Sequence, residues 1–129
     1  MKIIMLGRVS IRVRGGIPSH VKSILETFNN DKEISFINLV PSLNKNQKTK
    51  IESYEYLSNS KEIVCKSFFI RKTFAISFQF LKSFLFLLKE YPDAPIHLHL
   101  PDPLSIITVI LFSNKRKLIA TYHADLIGK

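Results

Sequence analysis

Short apolar runs alternate with longer segments in which apolar residues recur every three or four positions. Residues 2–6, "KIIML", read as a strand buried on both faces. Pro18 suits the first turn of a helix, and Val21, Ile24, Leu25 and Phe28 then follow at helical spacing until "NND" at 29–31. "ISFINLV" at 34–40 predicts a second strand, stopped by Pro41. "PSLNKNQKTK" at 41–50 is polar and predicts an exposed loop. Further on, "EIVCKSFFI" has the β-branched and aromatic content of a strand, with "YEYL" pairing beside it.

The segment 76–90, "ISFQFLKSFLFLLKE", is the most apolar. At helical periodicity Ile76, Phe80, Leu81, Phe84, Leu85, Leu87 and Leu88 share one broad face. Gln79, Lys82, Ser83, Lys89 and Glu90 gather opposite, with Phe86 stranded among them. "PIHLHL" at 95–100 alternates as a strand and puts His97 and His99 on one face. Asp102 and Pro103 then make an N-cap and first turn, and "KLIATYH" at 117–123 predicts a further strand. Strands separated by helices imply an α/β fold, a Rossmann-like parallel sheet flanked by helices. No repeat or linker divides residues 1–129.

An apolar share of 46% is enough for a hydrophobic core and excludes a disordered chain. The net charge of +9 favours anionic partners, although lysines spread along a chain also serve solubility alone. Nucleic-acid binding would need a recognition helix or an aromatic-basic sheet motif, and neither is visible. The single Cys65 excludes an internal disulfide, and "MKIIMLG" lacks the form of a secretory signal. The 76–90 segment is too short to span a bilayer and carries Lys82; Phe86 beside Lys82 and Lys89 reads as an ordinary exposed aromatic or as a contact to an anionic membrane surface.

Candidate chemistry gathers where strands run into helices. After the first strand come Arg8, Arg12 and Arg14, then Gly15 and Gly16, then a helix. Without Cβ atoms the glycines allow close approach of a ligand's phosphates, and the arginines attract an anion. The loop matches neither the dinucleotide fingerprint nor a P-loop, and the same glycine pair also suits a plain tight turn. His97, His99 and His123 fall at or near the ends of adjacent predicted strands. A packing or backbone-bonding role suits His97 better than metal ligation, because no Cys or carboxylate cluster accompanies it. His123, with Asp125 two residues on, could contact a hydroxylated ligand or serve as an ordinary surface and capping pair.

Three segments in order, "GGIPSHVKSILETF", "IHLHLPDPLSIITVIL" and "LIATYHADLIGK", resemble the N-terminal domain of glycosyltransferase family 4, retaining enzymes of the two-domain GT-B fold. The resemblance implies that Gly15 and Gly16 face the donor diphosphate and the acceptor, with Arg8 and Arg14 nearby. It implies that His123 is the catalytic histidine near the donor sugar and that Asp125 shapes that loop. His99, Pro101 and Pro103 match the mid-domain strand-to-helix crossing, with His99 at the donor/acceptor side. The implied substrates are a nucleotide-sugar and a glycan or lipid-linked acceptor at the cytoplasmic face of a membrane, with no metal or other cofactor.

The family's second domain supplies a cationic pair for the diphosphate and a paired-glutamate motif, and these residues lack a counterpart here. The expectation is therefore an incomplete N-terminal half of a GT-B fold, inactive alone, that is either a truncated gene product or half of a split enzyme whose partner is encoded separately. A sheet lacking its last strands is further expected to expose an apolar edge and face. The alternative is a non-catalytic anion- or nucleotide-binding α/β module acting as a subunit or regulator.

Overall fold

A computed structural model of the protein describes residues 1–7, 10, 16–28, 33–46, 48–54, 57–72, 74–100, 102–113 and 116–122. The elements in order are β1 (Lys2–Leu6), α1 (Gly16–Thr27), β2 (Ser35–Pro41), β3 (Lys50–Tyr54), β4 (Leu57–Cys65), β5 (Phe69–Arg71) and β6 (Phe74–Ile76). They continue with α2 (Phe78–Glu90), β7 (Ile96–Leu100), α3 (Pro103–Phe112) and β8 (Leu118–Tyr122).

Six strands form one sheet in the order β3-β4-β2-β1-β7-β8, and β5 and β6 form a separate hairpin. Every pairing in the large sheet is parallel except β3 with β4. The chain starts at the centre, builds outward to β4, and then returns past β1 to β7 and β8. That reversal, between β1 and β7, is the topological switch point of the sheet.

The two faces bury different sets of residues. On one, Ile4, Leu6, Ile37, Leu39, Ile96 and Leu98 pack with Phe80, Phe84 and Leu87 of α2 and with Leu104 and Val109 of α3. Phe80 and Phe84 are fully buried, and burial of each side chain stabilises the fold by about 2–3 kcal/mol. On the other face α1 lays Val21 and Leu25 over Met5 and Phe36. The helices therefore lie on both faces, as the alternating pattern predicts.

Several boundaries differ from the sequence expectation. Pro41 does not stop β2; it is the last residue of that strand and lies opposite Cys65. Pro41 is tolerated there because β1's pairing with β2 has already ended at Leu39, while the next N–H, of Ser42, still bonds the Cys65 carbonyl of β4 at 2.8 Å. "YEYL" is not a strand of its own: Tyr54 closes β3 and Leu57 opens β4, the two being register partners. "EIVCKSFFI" divides between the end of β4 and the start of the β5–β6 hairpin.

Ile76 belongs to β6 rather than to the helix, because Ser77 interposes an N-cap whose hydroxyl accepts from the Phe80 N–H at 3.0 Å. Leu85 is exposed, whereas Ser83 turns inward to contact the Cys65 thiol at 3.7 Å. The C-terminal end of α2 is held by Arg116. Its guanidinium donates to the carbonyls of Tyr91 at 2.7 Å and Ala94 at 3.2 Å, and also to that of Leu88.

The far side of the sheet is apolar and open. α3 buries Ser105 and Thr108 beside Leu104 and Val109 while exposing Ile107, Ile110 and Leu111. Thr108 satisfies its hydroxyl on the Leu104 carbonyl at 2.7 Å. Among the described residues β8 pairs only with β7, and it exposes Leu118, Ile119 and Tyr122. No helix among the described residues is long and apolar enough to cross a membrane.

Candidate functional site

Because β1, β2, β4, β7 and β8 are parallel, their C-terminal ends share one edge of the sheet. On the α1 side, the sheet carries polar residues in register with the core residue Met5. Met5 lies opposite Asn38 and His97, and Asn38 lies opposite Glu62, so Glu62, Asn38, Met5 and His97 line up across four strands.

Asn38 and Glu62 are buried. The Asn38 amide donates to Glu62 Oε2 at 2.9 Å, and the Ser10 hydroxyl donates to Glu62 Oε1. Ser10 lies in the segment after β1, so Glu62 reaches across from β4 to hold the start of the β1–α1 connection. The Asn38 Oδ1 acceptor has no hydrogen-bond partner among the described residues.

One strand pair away, His97 and His99 stack with ring centroids 4.5 Å apart, confirming that alternation places them on one face. His97 Nε2 pairs with the Thr121 hydroxyl of β8 at 2.8 Å. His99 is buried and meets His20 of α1 edge-on at 6.1 Å. At the end of β7 the buried Asp102 carboxylate accepts from the Ser105 hydroxyl, and Pro103 begins α3. Asp102 is the N-cap residue by position and backbone, though its carboxylate makes no cap bond to an N–H.

Of the residues singled out in the sequence, His99 is thus at the C-terminal edge, packed between His97 and His20. Gly16 is not a loop residue; it is the first residue of α1. Arg8, Arg12, Arg14, Gly15, Pro101, His123 and Asp125 lie outside the described residues. β1 ends at Leu6 and β8 at Tyr122, so the connections bearing the glycine pair and His123 leave from the same edge.

The Asn38–Glu62–Ser10 cluster escapes sequence reading. Its available signal is one amide inside the apolar run "ISFINLV" and one carboxylate beginning "EIVC". Chemically, the edge combines imidazoles, a carboxamide and hydroxyls, groups that both donate to and accept from a polyhydroxylated ligand. Among the described residues no three His, Cys, Asp or Glu side chains form a metal-binding group.

Comparisons with protein-family models, curated proteins and solved structures found no match for this chain.

Proposed function

We propose that the chain is the acceptor-side N-terminal part of a retaining GT-B glycosyltransferase, similar to family 4. It would work on a nucleotide-sugar donor and a lipid-linked or glycan acceptor, at the cytoplasmic face of a membrane. The observation that carries this reading is the shared edge on which β1, β7 and β8 end, with the "HLHLPDP" strand-to-helix crossing between the other two connections.

In this arrangement Arg8, Arg14 and Gly15 of the β1–α1 connection, with Gly16 at the start of α1, face the donor diphosphate and the acceptor. His123 contacts the donor sugar as the catalytic residue, Asp125 shapes its loop, and His99 backs the wall from β7. A retaining transfer also requires stabilisation of the departing diphosphate by positive charge. That charge would come from a C-terminal donor-binding domain of the kind family 4 enzymes carry.

The test is to combine the chain with a GT-B-type C-terminal donor-binding domain and assay for complex formation and for sugar-nucleotide hydrolysis or transfer. A complex whose turnover falls at least a hundredfold in His123→Ala supports the reading. Absence of both complex and turnover overturns it. Nucleotide binding by the chain alone, unchanged by the partner and without turnover, would instead favour an anion-binding α/β module, which the +9 charge also suits.

A further inference from the structure

Phe68, in the approach to the β5–β6 hairpin, stacks on Phe78, the first residue of α2. Their rings are 4.5 Å apart and 6° from parallel. Both are exposed, at 59% and 67%, and Phe69 beside them is 44% exposed. The pair therefore stiffens a surface projection without filling any core.

Phe78 also starts a stripe along the outer side of α2. Phe78, Lys82, Leu85, Phe86 and Lys89 fall within one narrow sector at helical periodicity, opposite the buried Phe80, Phe84 and Leu87. Phe86 is 62% exposed. The helix is thus apolar on two sides, and the second apolar side is continuous with the aromatic projection.

Cations surround this surface. Arg71 and Lys72 form the tip of the hairpin, and Lys72 holds φ 54°. That left-handed conformation is easiest for glycine, yet the chain places a lysine there. The hairpin base is tied to the lysine-rich 42–49 loop: the Ser67 hydroxyl donates to the Ser42 carbonyl at 2.7 Å, and the Lys66 N–H to the Thr49 hydroxyl at 2.9 Å. Lys45, Lys66, Arg71, Lys72 and Lys82 are all exposed. No Asp or Glu occurs between Glu33 and Glu52, or between Glu62 and Glu90, so these segments carry only positive charge.

We infer that the β5–β6 hairpin and the outer stripe of α2 form a docking surface for an anionic lipid bilayer. The phenylalanines enter the headgroup–acyl boundary, and the lysines and Arg71 meet the anionic headgroups. Charge complementarity selects this occupant: exposed aromatics ringed by cations, with carboxylates absent from the segments that build the surface, match an apolar layer under negative charge. The hairpin follows β4 at the C-terminal edge of the sheet, so docking sets that edge beside the membrane. The inference deepens the lipid-linked-acceptor reading and rests on it for where the acceptor lies.

The chain has no tryptophan, so Phe78→Trp installs a single reporter. Its emission is expected to shift to the blue with vesicles of phosphatidylcholine containing about one third phosphatidylglycerol, and not with phosphatidylcholine alone. Arg71→Gln with Lys72→Gly removes two charges and relieves the backbone at position 72, so the variant keeps its fold. It should bind the anionic vesicles about twentyfold more weakly, at about fivefold per cation. Phe68→Ser with Phe78→Ser should weaken binding about tenfold while circular dichroism is unchanged.

Unshifted emission on co-sedimenting vesicles, or equal binding by parent and variants, overturns the inference. So does a tryptophan response to single-stranded nucleic acid but not to vesicles. Transfer to a soluble glycan without vesicle binding would leave the sugar-transfer reading standing and sink this one. Vesicle binding with no transfer even when a C-terminal donor-binding domain is present would do the reverse.

Discussion

Asn38 of β2 donates its amide to the Glu62 carboxylate of β4 at 2.9 Å, in a stretch of sheet whose neighbouring residues are hydrophobic. With Ser10 as a second donor, Glu62 joins two strands and the segment that leaves β1. A buried polar group missing one partner is destabilising, because the remaining group keeps its desolvation penalty.

Asn38→Leu and Glu62→Leu should each lower stability by about 2–3 kcal/mol. The double variant should lose less than the sum of the two, since both buried groups are then gone. Urea unfolding of the four proteins in a double-mutant cycle measures the coupling, and strict additivity would mean the pair does not act as a unit.

Arg116 gathers the carbonyls of Leu88, Tyr91 and Ala94 at the end of α2, where backbone acceptors lack helical partners. Arg116→Met keeps much of the side chain's length but no donors, and should cost about 2 kcal/mol. Arg116→Lys should recover less than half of that, because a single ammonium cannot match the planar fork. Thermal unfolding midpoints of the two variants give the comparison.

Ser77 caps α2 and donates its own hydroxyl to the Lys66 carbonyl. Ser77→Ala should therefore cost about 1–2 kcal/mol, the ordinary loss for an N-cap, and should also loosen the hairpin. Hydrogen exchange would then rise at Phe80 and across β5 and β6 together.

Burial pushes the Cys65 thiol up to about 11, and the contact with Ser83 only partly opposes this. The folded value lies above the unfolded one, so the neutral thiol's stabilisation is complete below about pH 9 and is lost as pH rises through about 11. Across that window the parent should lose about 2–3 kcal/mol more than Cys65→Ala does. Below it, the native thiol should resist alkylation that proceeds quickly in urea.

Ile107, Ile110 and Leu111 are exposed on α3, and among the described residues β8 is an edge strand. A chain with such a patch should self-associate as concentration rises. Ile107→Lys with Ile110→Glu and Leu111→Lys should raise the monomer fraction in sedimentation. Stability should change by no more than about 0.5 kcal/mol per site, because none of the three is buried.

Much of the fold is legible in the chain because local chemistry and tertiary burial agree there. "KIIML" and "PIHLHL" are apolar enough to be central strands, and Asp102–Pro103 starts a helix in the sequence as it does in space. Alternation alone put His97 and His99 on one face, since strand period does not depend on neighbours. The boundary at Pro41 misleads because proline's missing donor matters only where a ladder bond would have used it.

What the sequence by itself determined was the succession of β1, α1, β2, α2, β7, α3 and β8 and the mostly parallel character of the sheet, through periodicity that each segment carries alone. Tertiary structure decided the rest: that Glu62 and Ser10 meet, that Ser83 turns toward Cys65, and that Phe68 stacks on Phe78 at the surface. Those contacts join residues from different elements. Their partners are chosen by strand order and helix orientation, which no local pattern encodes.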